Sequence, residues 1–259
     1  MFSAPHFPGG WKPPLSHLSK ALKFPVHKQA TTYCTRPEHV MRPTPLRLMP
    51  LGGSITHGVG SSHQNGYRDV LLQLLYRHSY QVRLVGSRKS GTMANNEHEG
   101  WRGFRIDQIA TKAKASAEGL QPQLFTVNAG SNDCLQGYKL EEASRRMDNL
   151  LESLWLASPD STVVIGSLLV NKDKRVDGVI RDFNQQLEKL VRTKRWEGRK
   201  VVFVDMHGGD GPLVEDLGED GTHPNDAGYA KMAKIWLQGI QVASNSGFLS
   251  ATETQHPSS

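Results

Sequence analysis

No apolar run in this 259-residue chain approaches the ~20 residues that a membrane span requires, so no membrane-embedded segment is expected. Cysteine is nearly absent. Cys34 and Cys134 are a hundred positions apart and cannot make the disulfide framework on which small secreted folds depend. The first twenty residues, MFSAPHFPGGWKPPLSHLSK, lack the apolar stretch of a secretory signal. An intracellular location is therefore expected for the chain as encoded, with secretion from a differently assigned start as the alternative. The excess of basic residues, +6 overall, is also missing from most of the chain. Residues 1–47 hold seven Lys/Arg and one acid, Glu38; removing these from 31 and 25 leaves 24 of each sign in 48–259. A neutral body argues against a nucleic-acid surface. GSRKSG at 86–91 lacks the Gly-Lys-Ser/Thr ending of a phosphate loop, and His98-Glu99 is not followed by the second histidine of an HExxH site. No metal and no cofactor are expected.

What is present is a regular alternation. Eight of the fourteen prolines fall in residues 1–47, which have no apolar periodicity, so 1–44 reads as a disordered arm. From Pro45 onward, buried-strand patterns at 45–51, 81–87, 123–130, 162–170 and 200–206 alternate with helical spacing at 65–79, 106–119, 140–158, 176–196 and 225–244. Five apolar strands separated by helices predict one α/β domain over 45–245, with 246–259 as a tail. The expected architecture is a three-layer α/β/α sandwich around a five-stranded, flavodoxin-like parallel sheet. Ligands of such sheets bind beyond the carboxyl ends of the strands. Ser54 follows the first strand, the 88–103 loop the second, Asn132 the third, and Asp220 and His223 the fifth. All the chemistry-bearing candidates fall on one edge.

Those candidates lie in LMPLGGSITHG (48–58), NAGSNDC (128–134) and EDGTHPNDAGY (219–229). A serine hydroxyl is a weak nucleophile at neutral pH until a histidine takes its proton and an acid holds that histidine in the right tautomer. Each candidate also has a purely structural reading. Ser54 suits a helix N-cap, Asn132 a turn, and Asp220 with His223 a solvated turn. Histidines 57, 63, 78, 98 and 207 form no ligand-like cluster and read as surface or loop residues, with His57 and His63 close enough to Ser54 in sequence to line a pocket.

The blocks MPLGGSITHGVGSS, NGYRDVL, VGSRKSGTM, HEGWRGFRIDQI, NAGSNDC and DGTHPNDAGYAKMA occur in one order over roughly 45–243. In this the chain resembles the SGNH (GDSL-type) hydrolases, nearest the fungal carbohydrate esterase family 3 proteins that include acetyl xylan esterases. The resemblance implies a serine esterase acting on short acyl, notably acetyl, esters of carbohydrates without a cofactor. It implies Ser54 as nucleophile, His223 as general base and acid, and Asp220 as the group orienting His223. It further implies an oxyanion hole from the Ser54 N–H, the Gly103 N–H and the Asn132 side chain. Gly100 is the alternative glycine and Gly86 stands too early. The family's Gly-Asp-Ser-Leu reads Gly52-Gly53-Ser54-Ile55 here, so the aspartate that braces the serine loop is missing. Asn65-Gly66-Tyr67-Arg68 is expected to start a helix and pack beneath the site, and Trp101 is a candidate pocket wall. The expected partner is a small-molecule or carbohydrate ester, and the sequence does not speak to oligomeric state. A lipid-directed esterase of the same superfamily and a non-catalytic binding module are the competing readings.

Overall fold

The computed structural model describes residues 44–249. The proposed arm, 1–44, and the tail beyond 249 lie outside the described residues, except for Thr44. Five strands alternate with helices as the apolar pattern predicts. β1 (Leu46–Gly52) is followed by a one-turn helix α1 (Ser54–His57) and by α2 (Tyr67–Arg77). Next come β2 (Val82–Leu84), β3 (Arg88–Lys89), β4 (Glu97–Gly100) and α3 (Ile106–Leu120). β5 (Leu124–Asn128), α4 (Ser131–Gln136) and α5 (Ala143–Ala157) follow. The chain then forms β6 (Thr162–Gly166), α6 (Lys174–Trp196), β7 (Val201–Val204) and α7 (Asp226–Asn245).

β1 is central, with β5, β6 and β7 laid parallel on one side of it. On its other side β2 pairs with Leu46–Leu48 and β4 then takes over at Leu51–Gly52, both parallel. With β2 and β4 sharing one position, this is the flavodoxin-like order 2-1-3-4-5. Helices α3, α5 and α6 cover one face over Met49, Phe125, Val127 and Ile165, all buried. Helices α2 and α7 cover the other over Leu48, Leu124, Val164 and Val204. Strands buried on both faces explain why each reads as a continuous apolar run.

The 88–103 segment is not simply a loop. It contains β3 and β4, paired antiparallel with Arg88 opposite His98. The strand was hidden because Glu97-His98-Glu99 carries no apolar pattern, yet His98 and Glu99 are fully buried. α1 and α4 also went unread, being too short to show a 3.6-residue period. Two helix starts are set by caps: Asp173 accepts the N–H groups of Arg175 and Val176, and Asn225 that of Gly228.

Candidate active site

Ser54 sits where β1 ends, at the first position of α1. Gly53 is the cap residue and no side chain caps this helix, so the Ser54 hydroxyl is free for another partner. The turn is held from several sides. Trp101 N–H donates to the Gly52 carbonyl at 2.9 Å, and the N–H groups of Gly58 and Val59 both reach the Ser54 carbonyl at 3.1 Å. Beneath it lie Tyr67 and Arg68, both fully buried, as the Asn65–Arg68 motif led us to expect. The Arg68 guanidinium has no carboxylate partner; it donates instead to the carbonyls of His57, Gln64, Ser90 and Asn96. Burial lowers its pKa to about 10, so it remains charged at neutral pH. It ties α1 to the strand pair that follows.

Asp220 and His223 lie on the loop between β7 and α7. A single bridge, Leu217 to Pro224, closes this loop, helped by Gly218 N–H to the His223 carbonyl at 2.8 Å. Asp220 Oδ1 accepts the backbone N–H groups of Thr222 and His223, both at 2.9 Å. Its Oδ2 stands 2.6 Å from His223 Nδ1. His223 Nε2 in turn stands 2.7 Å from Ser54 Oγ. A carboxylate can only accept, so Nδ1 carries the proton and Nε2 is the acceptor for the serine hydroxyl. Burial raises the Asp220 carboxyl, but the backbone and ring bonds of His223 and the Thr222 N–H outweigh it and hold the group below its ordinary value. Asp220 therefore stays ionised. The three residues form one continuous hydrogen-bonded chain, not a cap and a solvated turn.

Asn132 lies on α4, and its Nδ2 donates to the Phe104 carbonyl at 2.9 Å. It shares a narrow recess with Gly53, Ser54, Ile55, Phe104, Ile109, Asn128 and Ala129, enclosing only about 10 Å³. Gly103 occupies the third position of a turn closed by Phe104 N–H to the Trp101 carbonyl at 3.2 Å. Its φ of +78° is that of a type II turn, which favours glycine there. Among the described residues no acceptor takes the Gly103 N–H. Gly100 differs: its N–H is bound to His98 Nδ1 at 2.9 Å, and a Cβ there would stand 2.6 Å from His57 N.

Two histidines read as surface or loop residues are buried instead. His98 is fully buried on β4, bonded through Nε2 to Ser90 Oγ at 2.7 Å, and burial with the nearby Arg68, His57 and Arg88 charges lowers its pKa to about 2. Ser90 Oγ donates to the His57 carbonyl at 2.7 Å. His57 packs edge-on against His98 at 5.2 Å between centroids. His63 is exposed and does not line the recess. Larger grooves of about 530 and 560 Å³ run along the outer strand β7, and neither includes Ser54 or His223. Among the described residues, no His, Cys, Asp and Glu are grouped to hold a metal ion, and no helix is long and apolar enough to cross a membrane.

Residues 51–231 match the model of the GDSL-like Lipase/Acylhydrolase family. The chain belongs to the GDSL-like lipase/acylhydrolase family. It is thus a carboxylic ester hydrolase domain. A family 3 carbohydrate esterase of Clostridium thermocellum superposes with a TM-score of 0.70 at 27% identity, covering 78% of this chain and 99% of that one. A family 3 carbohydrate esterase from Talaromyces cellulolyticus, at 21% identity and a TM-score of 0.67, covers 77% of this chain and 99% of its own and shares the fold. The multidomain esterase of Ruminococcus flavefaciens is 25% identical over 240 residues, 80% of this chain. The chain spans 29% of the length of that relative and 56% of a putative endoglucanase X from Acetivibrio thermocellus. Ser90 and buried His98 carry no signal in the sequence, whereas the Asn65–Arg68 motif marks the place of Arg68 though not its carbonyl partners.

Proposed function

We propose that this GDSL-family domain removes short acyl groups, acetyl above all, from carbohydrate esters through an acyl-enzyme on Ser54. The observation that carries the reading is the Asp220–His223–Ser54 hydrogen-bond chain opening onto the small recess. His223 Nε2 takes the hydroxyl proton as Ser54 Oγ attacks the ester carbonyl carbon. Asp220, ionised, stabilises the imidazolium that forms. The tetrahedral intermediate collapses with His223 returning the proton to the leaving alcohol oxygen. Water, deprotonated by the same nitrogen, then attacks the acyl carbon, and Ser54 Oγ leaves with the proton.

Negative charge builds on the carbonyl oxygen in both steps and needs fixed donors. Ser54 N–H, at the first turn of α1, is one, since no carbonyl accepts from it within the helix. The Asn132 amide is the second; its Phe104 bond fixes the group and leaves one N–H over. Gly103 is the third, and its unspent N–H favours it over Gly100, whose N–H is committed to His98. Each such donor is worth about 3 kcal/mol of transition-state stabilisation. The acyl size follows from the recess. At about 10 Å³ it has room for one water-sized group, which suits a methyl and not a fatty chain. The carbohydrate alcohol is supported by the family 3 esterases among the structural neighbours.

Hydrolysis of 4-nitrophenyl acetate by the wild type and by Ser54→Ala tests the reading. The expected loss in kcat is at least about 10³-fold. Equal rates, or no turnover by a folded wild type, would refute it. Preference for 4-nitrophenyl octanoate over the acetate would move the assignment to a lipid-directed esterase.

A further inference from the structure

Next to the serine turn, one aromatic ring, that of Trp101, gathers cations. The backbone of Trp101 is pinned to the nucleophile turn through its N–H to the Gly52 carbonyl. The Trp101 carbonyl lies 3.8 Å from where a Cβ on Gly53 would stand. Around the indole gather Arg88, with its guanidinium carbon 4.5 Å from the ring centroid, and Lys112, with its ammonium at 4.8 Å. Phe104 stacks on the same ring at 5.3 Å. Arg102 is the next residue along the chain and is exposed at the second position of the 101–104 turn. The indole thus supports cations, and it is not among the residues lining the recess at Ser54, where a pocket wall was expected.

None of Arg88, Arg102 and Lys112 forms an ion pair among the described residues, whereas Arg145, Arg146, Arg181, Arg192, Lys194 and Arg199 all do. The nearby carboxylate, Glu99, faces inward and is fully buried. It is occupied by Ser87 N–H at 2.8 Å, Ser87 Oγ at 3.0 Å and Trp101 Nε1 at 2.8 Å. Glu99 therefore orients the indole but leaves the outward charge unanswered. Burial first, then the Arg102, Arg68 and Arg88 charges, also keep the ring of His57, the last residue of the nucleophile helix α1, below its ordinary pKa.

We infer that Arg88 and Arg102 select esters whose alcohol portion carries a carboxylate, as in a chain of acidic sugars. This rests on the esterase reading and sharpens it. The charge belongs to the alcohol portion because the acyl recess is lined by apolar and uncharged polar residues with no cation. A planar guanidinium matches a carboxylate with two parallel N–H bonds, and a cation held over an aromatic ring is already oriented for it. Lys112 supplements the field without that fork.

The test compares 4-acetoxybenzoate with its uncharged methyl ester as substrates of the wild type and of Arg88→Gln/Arg102→Gln. The quantity read is the ratio of kcat/KM for the anionic over the neutral acetate, in which intrinsic reactivity cancels between enzymes. The double variant is expected to lower that ratio at least about tenfold, as for loss of one charge-assisted contact. Arg88→Lys/Arg102→Lys is expected to recover part of it. In the wild type, raising salt from about 20 to about 300 mM is expected to lower the ratio as well. A ratio within about twofold of wild type in the double variant would overturn the inference while leaving the esterase reading standing, since the neutral ester still reports turnover. No hydrolysis of either ester by the wild type would overturn the esterase reading and the inference together.

Discussion

The two segments that meet at the site are built in opposite ways. The serine turn is embedded. It is fixed by Trp101 from one side and by α2 from below, with a fully buried arginine satisfying four carbonyls across three segments. The Asp220–His223 loop is more peripheral: the Asp220 side chain is 53% exposed, and it is oriented by bonds inside a four-residue stretch. Two ties from another segment, Lys172 N–H to the Gly221 carbonyl at 2.9 Å and Asn171 Nδ2 to Thr222 Oγ1 at 3.1 Å, anchor the loop as a whole. The nucleophile is thus positioned by tertiary packing, and the base mainly by local chemistry on an anchored loop. The difference has a physical basis. A carboxylate that accepts two backbone N–H groups and a ring N–H is self-orienting, whereas a hydroxyl on a sharp strand-to-helix turn has nothing local to aim it.

This contrast predicts a graded set of effects. The largest falls on the self-contained segment. Asp220→Asn keeps the side-chain shape but reverses the donor at Nδ1, so kcat for an acetate ester is expected to fall by about 10⁴, with the melting temperature little changed. A fall under about tenfold would mean that Asp220 does not set the tautomer. Asn132→Ala comes next, with a loss of about 10²–10³ in kcat and little change in KM, as for an oxyanion donor. A change confined to KM would instead mark a substrate-binding role.

The embedded segment should reveal itself through stability. His98 has a pKa of about 2 in the folded protein, against 6.5 for an ordinary histidine. Between those values the unfolded chain binds the extra proton, so stability is full above about pH 6.5 and is lost as pH falls. At pH 5 this amounts to about 2 kcal/mol, readable as a lower denaturant midpoint than at pH 7. His98→Gln should flatten that slope, and an unchanged slope would place the acid sensitivity elsewhere. The smallest effect concerns the missing aspartate. A Cβ on Gly53 would meet Asn132 Nδ2 at 3.5 Å, ordinary contact, so Gly53→Ala should change stability by under about 0.5 kcal/mol and kcat/KM by under about threefold. A large loss would show that the turn needs glycine itself and is not merely lacking its brace.

The exposed rim and the buried network share one short stretch, residues 88–105, and this is where the sequence was hardest to read. In its strand β4, His98 and Glu99 are buried, and Ser87, Ser90 and Trp101 compensate them. A pattern of apolar residues cannot signal a strand stabilised by polar partners drawn from elsewhere. The partners of Arg68 are illegible for the same reason, although its place beneath the site is expected from the Asn65–Arg68 motif. They are carbonyls at positions 57, 64, 90 and 96, and carbonyls carry no sequence signature.

The sequence by itself determined the α/β alternation, the edge of the sheet that carries the chemistry, and the Asp220–His223 unit. Strands buried on both faces read as largely apolar runs unless polar partners compensate them, and an acid three residues before a histidine closes its own ring of bonds. Only the tertiary structure decided that Ser54 Oγ faces His223 and not a helix end. It alone showed that Gly100 has spent its N–H on His98, that the recess beside Ser54 is small, and that Arg88 and Arg102 form no ion pair among the described residues. The Ser54–His223 contact and the recess join segments tens to more than a hundred residues apart, and the packing of the two helical layers against one sheet sets them.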